Sequence, residues 1–308
     1  MNRHVVLGAI MGAGLLAITV FGQTAPLAAN QAGPRASIDK IEKIAENLYW
    51  IPGAGGNSVV FVRGDGVLLV DTKLQNNGQA LLDQIRKITD QPVTHIVNTH
   101  SHPDHTGSNA FFDAQVEVVT HENTKANMEK MPAFQSDSGK IGLPDRTIND
   151  RTTLFSGKDA VDLHYFGPAH TNGDILVVFR SARVMHAGDV FARKDYPLID
   201  TNSGGSGVAF GETIAKAATT IRRVDQVLTG HGDVRTWQEF VDYGEFNDLV
   251  LSHARASLAA GKSAEQALTE FKLPAKFTGY ELNPDRAGPG FRAPPGGNFA
   301  VIYQELRK

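Results

Sequence analysis

Apolar residues recur along this chain in two rhythms, and the order of those rhythms predicts its elements. Short apolar runs bounded by glycine or a polar residue read as strands: residues 67–70 ahead of Asp71, then 93–98, 116–120, 161–166, 175–179, 183–186 and 226–229. Apolar residues spaced three and four apart predict helices over 78–88, 122–131, 211–224 and 237–261. Ser263 and Gln266 stand at capping-box spacing and predict the start of another helix. Residues 132–150 show no period and carry Gly139, Gly142 and Pro144, so they form either a flap over a site or a surface excursion. Proline and glycine crowd residues 284–297, a predicted loop, and apolar character returns at 299–303. Two sheets packed face to face, with helices outside, accommodate this order. The fold class is therefore α/β, with a helical tail that either lines a cleft or makes an oligomer contact.

The start of the chain has a different pattern. Arg3 opens a short basic segment, residues 5–21 are almost wholly apolar, and small residues follow, with Ala28 and Ala29 as cleavage positions. Residues 1–29 thus read as a secretory signal peptide, an uncleaved anchor being the alternative. The domain boundaries that follow are 38–235 for the sandwich and 236–308 for a mainly helical accessory region. The formal charge is −3, and losing Arg3 makes it one unit more negative, which argues against a nucleic-acid partner. The chain contains no cysteine, so it has neither a disulfide nor a thiolate ligand. The expected mature protein is secreted or periplasmic. It has a small-molecule substrate, and no membrane attachment after cleavage.

Candidate chemistry concentrates after the strand at 93–98. His100, His102, Asp104 and His105 form an H-x-H-x-D-H cluster, and imidazole nitrogens with a carboxylate suit an ion of the zinc class. Three further candidates follow apolar runs and have glycine close by: His170, Asp189 and His231. Asp71 ends an earlier strand. His95, His121, His164 and His186 read as ordinary structural histidines, His186 being the nearest of them to a candidate ligand.

In this order the residues resemble the five motifs of the metallo-β-lactamase superfamily, over about residues 40–235. Residues 47–52 and 57–62 also look like that family's first hairpin. The resemblance implies an αββα sandwich with all ligand motifs on one edge. It implies a first metal held by His100, His102 and His170, a second held by Asp104, His105 and His231, and Asp189 bridging them as in the glyoxalase II type of site. Asp71 would buttress the cluster from behind. Two zinc ions are implied, with iron or manganese as alternatives, and a metal-bridging hydroxide attacks a lactam, lactone, ester or thioester carbonyl. Asp104 would also orient the nucleophile. The zinc β-lactamases usually carry cysteine or serine where this chain has Asp189, so it departs from their pattern there. A glyoxalase II-like thioesterase and an iron-dependent persulfide dioxygenase-type oxidoreductase are the alternatives. Diiron oxygen-reducing relatives carry glutamate where this chain has His102. Arg193, Lys194 and Tyr196 are the expected substrate contacts, and Asn172 and Asp174 are expected to bond backbone.

Overall fold

The computed structural model describes residues 38–281, 287–288, 291–292 and 294–308. The expected signal peptide and parts of the expected 284–297 loop lie outside them. Among the described residues, the first sheet has seven strands in spatial order: β1 (Glu42–Ala45), β2 (Leu48–Ile51), β3 (Ser58–Arg63), β4 (Gly66–Val70), β5 (Val93–Val97), β6 (Glu117–His121) and β7 (Arg146–Ile148). The first four pair antiparallel, and β4 through β7 run parallel. Four helices accompany this half: α1 (Gly78–Arg86), α2 (Pro103–Thr106), α3 (Glu122–Met128) and α4 (Asp137–Lys140).

The second sheet holds β8 (Arg151–Leu154), β9 (Val161–Tyr165), β10 (Ile175–Phe179), β11 (Val184–His186), β12 (Gln226–Leu228) and β13 (Arg235–Thr236), with β13 at one edge and β8 at the other. Here β11 and β12 are the parallel pair. Helices α5 (Phe210–Thr220), α6 (Trp237–Ala259), α7 (Ala264–Glu270) and α8 (Gly297–Leu306) complete the chain, with the two-residue strands β14 (Ala287–Gly288) and β15 (Phe291–Arg292) before the last.

Side-chain alternation explains why the sheets stack. Val59 and Phe61 of β3, Leu68 and Val70 of β4, and Ile175, Val177 and Phe179 of β10 share one buried cluster between the sheets. Their sequence neighbours point the other way. Val60, Val67 and Leu69 pack with Leu81 and Ile85 of α1, and Leu176, Val178 and Met185 pack with Phe210, Phe240 and Phe246 of α5 and α6. A strand with both faces covered reads as a continuous apolar run, which is the pattern seen in the sequence. The result is the α/β sandwich of two mixed sheets with helices outside and a C-terminal helical region. Helix α6 starts with a capping box from Thr236 and Glu239, and α7 starts with the expected one from Ser263 and Gln266.

Several boundaries differ from expectation. The helix expected over 122–131 stops at Met128, because Met131 precedes Pro132 and adopts extended backbone. The helix expected over 211–224 ends at Thr220, where Ile221 turns extended and buries itself. Residues 132–150 are not featureless: they form a 3-10 turn, α4 and β7, which pairs with β6. The expected loop at 284–297 contains the β14–β15 pair.

Candidate metal centre

Parallel pairing brings the strand ends together. Strands β4 and β5 deliver Asp71 and residues 100–105 to one edge, and β11 and β12 deliver Asp189 and His231. The connection from β9 to β10 carries His170 to the same place. Three groups of ligand atoms form there, each within 4.8 Å: His100 with His102 and His170, His100 with His105 and Asp189, and Asp104 with His105 and His231.

In the first group His170 Nε2 stands 2.9 Å from His102 Nδ1, and the His100 ring lies 4.7 Å from that of His170. In the third group His105 Nε2 stands 3.4 Å from His231 Nε2, and His231 Nε2 lies 3.3 Å from Asp104 Oδ2. Asp189 spans both. Its Oδ2 is 3.2 Å from His231 Nε2 and 3.7 Å from His170 Nε2, and its Oδ1 is 3.4 Å from His105 Nε2. His100 Nε2 is buried without a hydrogen-bond partner. Imidazole nitrogens facing one another, an orphaned buried nitrogen and carboxylates between them fit divalent cations that take nitrogen and oxygen donors.

The far side of four of the rings is fixed. His105 Nδ1 meets Asp71 Oδ2 at 2.7 Å, His100 Nδ1 meets Thr99 Oγ1 at 3.0 Å, and His170 Nδ1 donates to the Leu198 carbonyl at 2.7 Å. His102 is reversed: its Nε2 meets Asp200 Oδ2 at 2.8 Å, leaving Nδ1 for the cluster. Such partners set the tautomer and the direction of each lone pair. Asp71 accepts from the Thr99 amide and hydroxyl as well, at 2.8 and 2.7 Å, and His186 Nε2 lies 3.5 Å from it. Asp200 was not foreseen: it lies far from His102 in sequence and belongs to no local pattern.

Electrostatics follow the packing. Burial pushes the Asp71 carboxyl up, but the charge of His105, the hydrogen bond with it and the nearby His186 ring reverse this and leave it at about 2. Burial opposes charge on His105, yet Asp104, Asp71 and Asp189 raise it well above the usual imidazole value. His170 is lowered to about 4 by burial and by His102, so it is neutral near pH 7 with its lone pair available. Asp189 overcomes its burial through His231 and His105 and is held well below the usual carboxylate range.

Glycine makes room at two points. A Cβ on Gly230 would lie 1.9 Å from Asp189 Oδ1, and one on Gly56 would lie 2.2 Å from the His105 ring.

The expected substrate contacts fare differently. Tyr196 is 2% exposed and packs among Phe246, Phe271 and Phe299, where its ring completes the apolar cluster under α6 and α8. Lys194 pairs with Glu239 of α6 at 2.6 Å, and Arg193 lies 3.7 Å from Asp195. His95 lies beside Glu117, His121 caps α3 and stacks on Tyr165, and His164 stacks on Phe166. His186 meets the Leu228 carbonyl. Asp174 accepts from the Thr171 amide and hydroxyl, and the Asn172 carbonyl accepts from Asn123. Residues 131–139 wall a cavity of about 370 Å³ against Pro103, Thr106 and Phe111.

Comparison with known proteins agrees with this geometry. The family model of the metallo-beta-lactamase superfamily matches residues 51–231, more than half of the chain. A metallo-beta-lactamase type 2 from Elizabethkingia meningoseptica is 23% identical over 82% of this chain and 96% of its own length. Among solved structures, the sec-alkylsulfatase Pisa1 from Pseudomonas sp. superposes with TM-score 0.71 at 15% identity over 88% of this chain. The chain spans 50% of that alkylsulfatase. The DIM-1 metallo-beta-lactamase superposes with TM-score 0.57 at 19% identity, covering 67% of this chain and 97% of its own. With the motif order, the sandwich and the ligand groups all in place, the chain belongs to the metallo-β-lactamase superfamily, as a metal-dependent hydrolase.

Proposed function

We propose that this chain is an exported dinuclear zinc hydrolase acting on a carbonyl substrate, β-lactamase-like in its chemistry. The observation that carries the reading is Asp189, whose two oxygens face His170 of one ligand group and His105 and His231 of the other. His100, His102 and His170 would hold one ion, and Asp104, His105 and His231 the second. Ions bound there supply Lewis acidity and bring the pKa of water toward neutrality, so hydroxide is available as nucleophile at pH 7.

The chain's own side chains do the rest. Asp104 keeps a partly exposed carboxylate beside His231, where it accepts a hydrogen bond from the attacking water and orients it. Asp71, Thr99, Asp200 and the Leu198 carbonyl hold four imidazoles so that one nitrogen of each faces the site. Ser101 is buried in the loop, and the proposed chemistry needs no serine nucleophile.

Asp189 in place of cysteine or serine favours a second reading, a glyoxalase II-like thioesterase. Export of the mature chain, a periplasmic site of action and a small-molecule substrate without nucleic acid belong to the same proposal. They rest on the basic and apolar start of the sequence and its mildly acidic charge.

Metal content and nitrocefin hydrolysis of the purified mature protein, with and without chelator, test the proposal together. Two zinc equivalents with chelator-sensitive turnover support the lactamase reading. Two zincs without turnover move the panel to thioesters, lactones and an alkyl sulfate ester. Iron with oxygen uptake overturns the hydrolase reading in favour of a persulfide dioxygenase-type reaction. His102→Ala and Asp189→Ala lose both metal and hydrolysis if the assignment holds. N-terminal sequencing of the exported product checks cleavage after residue 29.

A further inference from the structure

One buried cation takes no part in that chemistry. Lys73 is fully buried, and its backbone is left-handed at φ +63°. An ammonium in the interior is costly unless it is fully engaged. Its Nζ donates to the carbonyls of Ile51 and Gly56, both at 2.8 Å. Those two carbonyls flank the turn between β2 and β3, so the ammonium closes that loop from beneath. The Lys73 carbonyl accepts from the Gly107 amide at 2.9 Å, which ties the same residue to the end of α2. Burial lowers the Lys73 amine to about 7, with the charges of Asp71 and Asp104 acting against that effect.

The loop so held meets the carriers of Asp104, His105 and His231. The Gly56 amide donates to the Asp104 carbonyl at 2.9 Å. A Cβ on Gly55 would lie 2.8 Å from Asp104 Cβ, and Gly56 lies against the His105 ring. At the loop's far end the Asn57 amide donates to the Gly230 carbonyl at 2.7 Å. The Asn57 carboxamide donates to the Thr229 and Gly232 carbonyls, both at 2.9 Å, on either side of His231. An apolar side chain would fill the space under the loop but would leave the two carbonyls without their donor.

We propose that Lys73 is a positioning residue for the second-metal group: it clamps the β2–β3 loop so that Asp104, His105 and His231 keep their mutual spacing. The inference rests on the two-metal reading above. It predicts selective damage, with the His100–His102–His170 group left intact.

The test is a titration of the metal-free protein with zinc against a competing chelator and with cobalt(II) followed by its visible spectrum. Metal-free thermal melts run alongside. Wild type takes up two equivalents. Lys73→Met and Lys73→Gln keep the first equivalent unchanged and bind the second about tenfold or more weakly. Asn57→Ala, which frees the other end of the loop, shows the same selective loss. The chain has no cysteine of its own, so Lys73→Cys aminoethylated in denaturant and refolded carries a single restored ammonium and regains the second equivalent. Unchanged binding of the second equivalent in Lys73→Met and Lys73→Gln overturns the proposal. So does equal weakening of both equivalents in step with a lower metal-free melting temperature, which is the mark of a scaffold role. Failure of every unrepaired variant to fold assigns Lys73 to the scaffold and overturns it too. A wild type that takes up one equivalent overturns the two-metal reading itself, and this inference with it.

Discussion

Replacing Asp71 with asparagine isolates the contribution of a carboxylate that contacts no candidate substrate space. The residue is wholly buried and receives four groups: the Thr99 amide, the Thr99 hydroxyl, His105 Nδ1 and, more distantly, His186 Nε2. Its carboxyl is lowered to about 2 from an ordinary 3.8, and a depression of that size stabilises the folded metal-free protein by about 2 kcal/mol at pH 7. The sign follows from the direction. A depressed carboxylate contributes its full stabilisation above the unfolded pKa and loses it as pH falls through the folded one. Asp71→Asn should therefore cost metal-free stability by about 2 kcal/mol at pH 7, and the gap to wild type should close between about pH 4 and pH 2. A second effect falls on the metal. The new amide nitrogen facing His105 Nδ1 can only donate, so His105 must carry its proton on Nε2, the atom aimed at Asp189 and His231. Loss of such a supporting partner lowers metal affinity by about tenfold to a hundredfold. Urea unfolding of the metal-free protein at pH 7 and pH 3, with zinc affinity from chelator competition, measures both. Wild-type stability at pH 7 together with unchanged zinc affinity would falsify the role given to Asp71.

Other perturbations separate parts of the site. Asp200→Ala removes the partner of His102 Nε2, frees that ring to turn, and should weaken the His100–His102–His170 ion by about tenfold while sparing the other, read by stepwise zinc titration. Gly230→Ala drives a methyl onto Asp189 Oδ1 and should destabilise the fold by roughly 1–3 kcal/mol while lowering bound metal, seen in thermal melts and metal analysis. In the metal-free protein His102 and His105 are raised above the usual imidazole value, so bound metal must displace their protons. Zinc affinity should therefore rise with pH through neutrality and above, and calorimetry in buffers of different ionisation enthalpy should show proton release; a pH-independent affinity contradicts this.

What the sequence disclosed about the site depended on how each residue is held. Ligands at strand ends were legible because a buried strand announces itself as an apolar run, and the residue that follows must turn toward solvent or a site. His100, Asp189 and His231 all stand at such points, and parallel pairing of β4 with β5 and of β11 with β12 then delivers them to one edge without any further instruction. The residues that hold the ligands obey no such rule. Asp200 reaches His102 from a loop that begins beyond Asp189, and its own position depends on backbone bonds from its amide to His170 and from Gly205 to its carbonyl. Lys73 belongs to no local pattern in the sequence; only the meeting of the β2–β3 loop with α2 makes its position interior. The packing of the Tyr196 ring against Phe246, Phe271 and Phe299 is likewise a tertiary contact that its place shortly after Asp189 does not report. Periodicity reports which face of an element is buried, and motif spacing reports which atoms converge on an ion. Neither reports which polar groups from distant loops steady those atoms, because such partners are chosen by tertiary contact alone. The tests on Asp71, Asp200 and Lys73 therefore address the part of the site for which the sequence offered least: how firmly the ligands are held, rather than which residues they are.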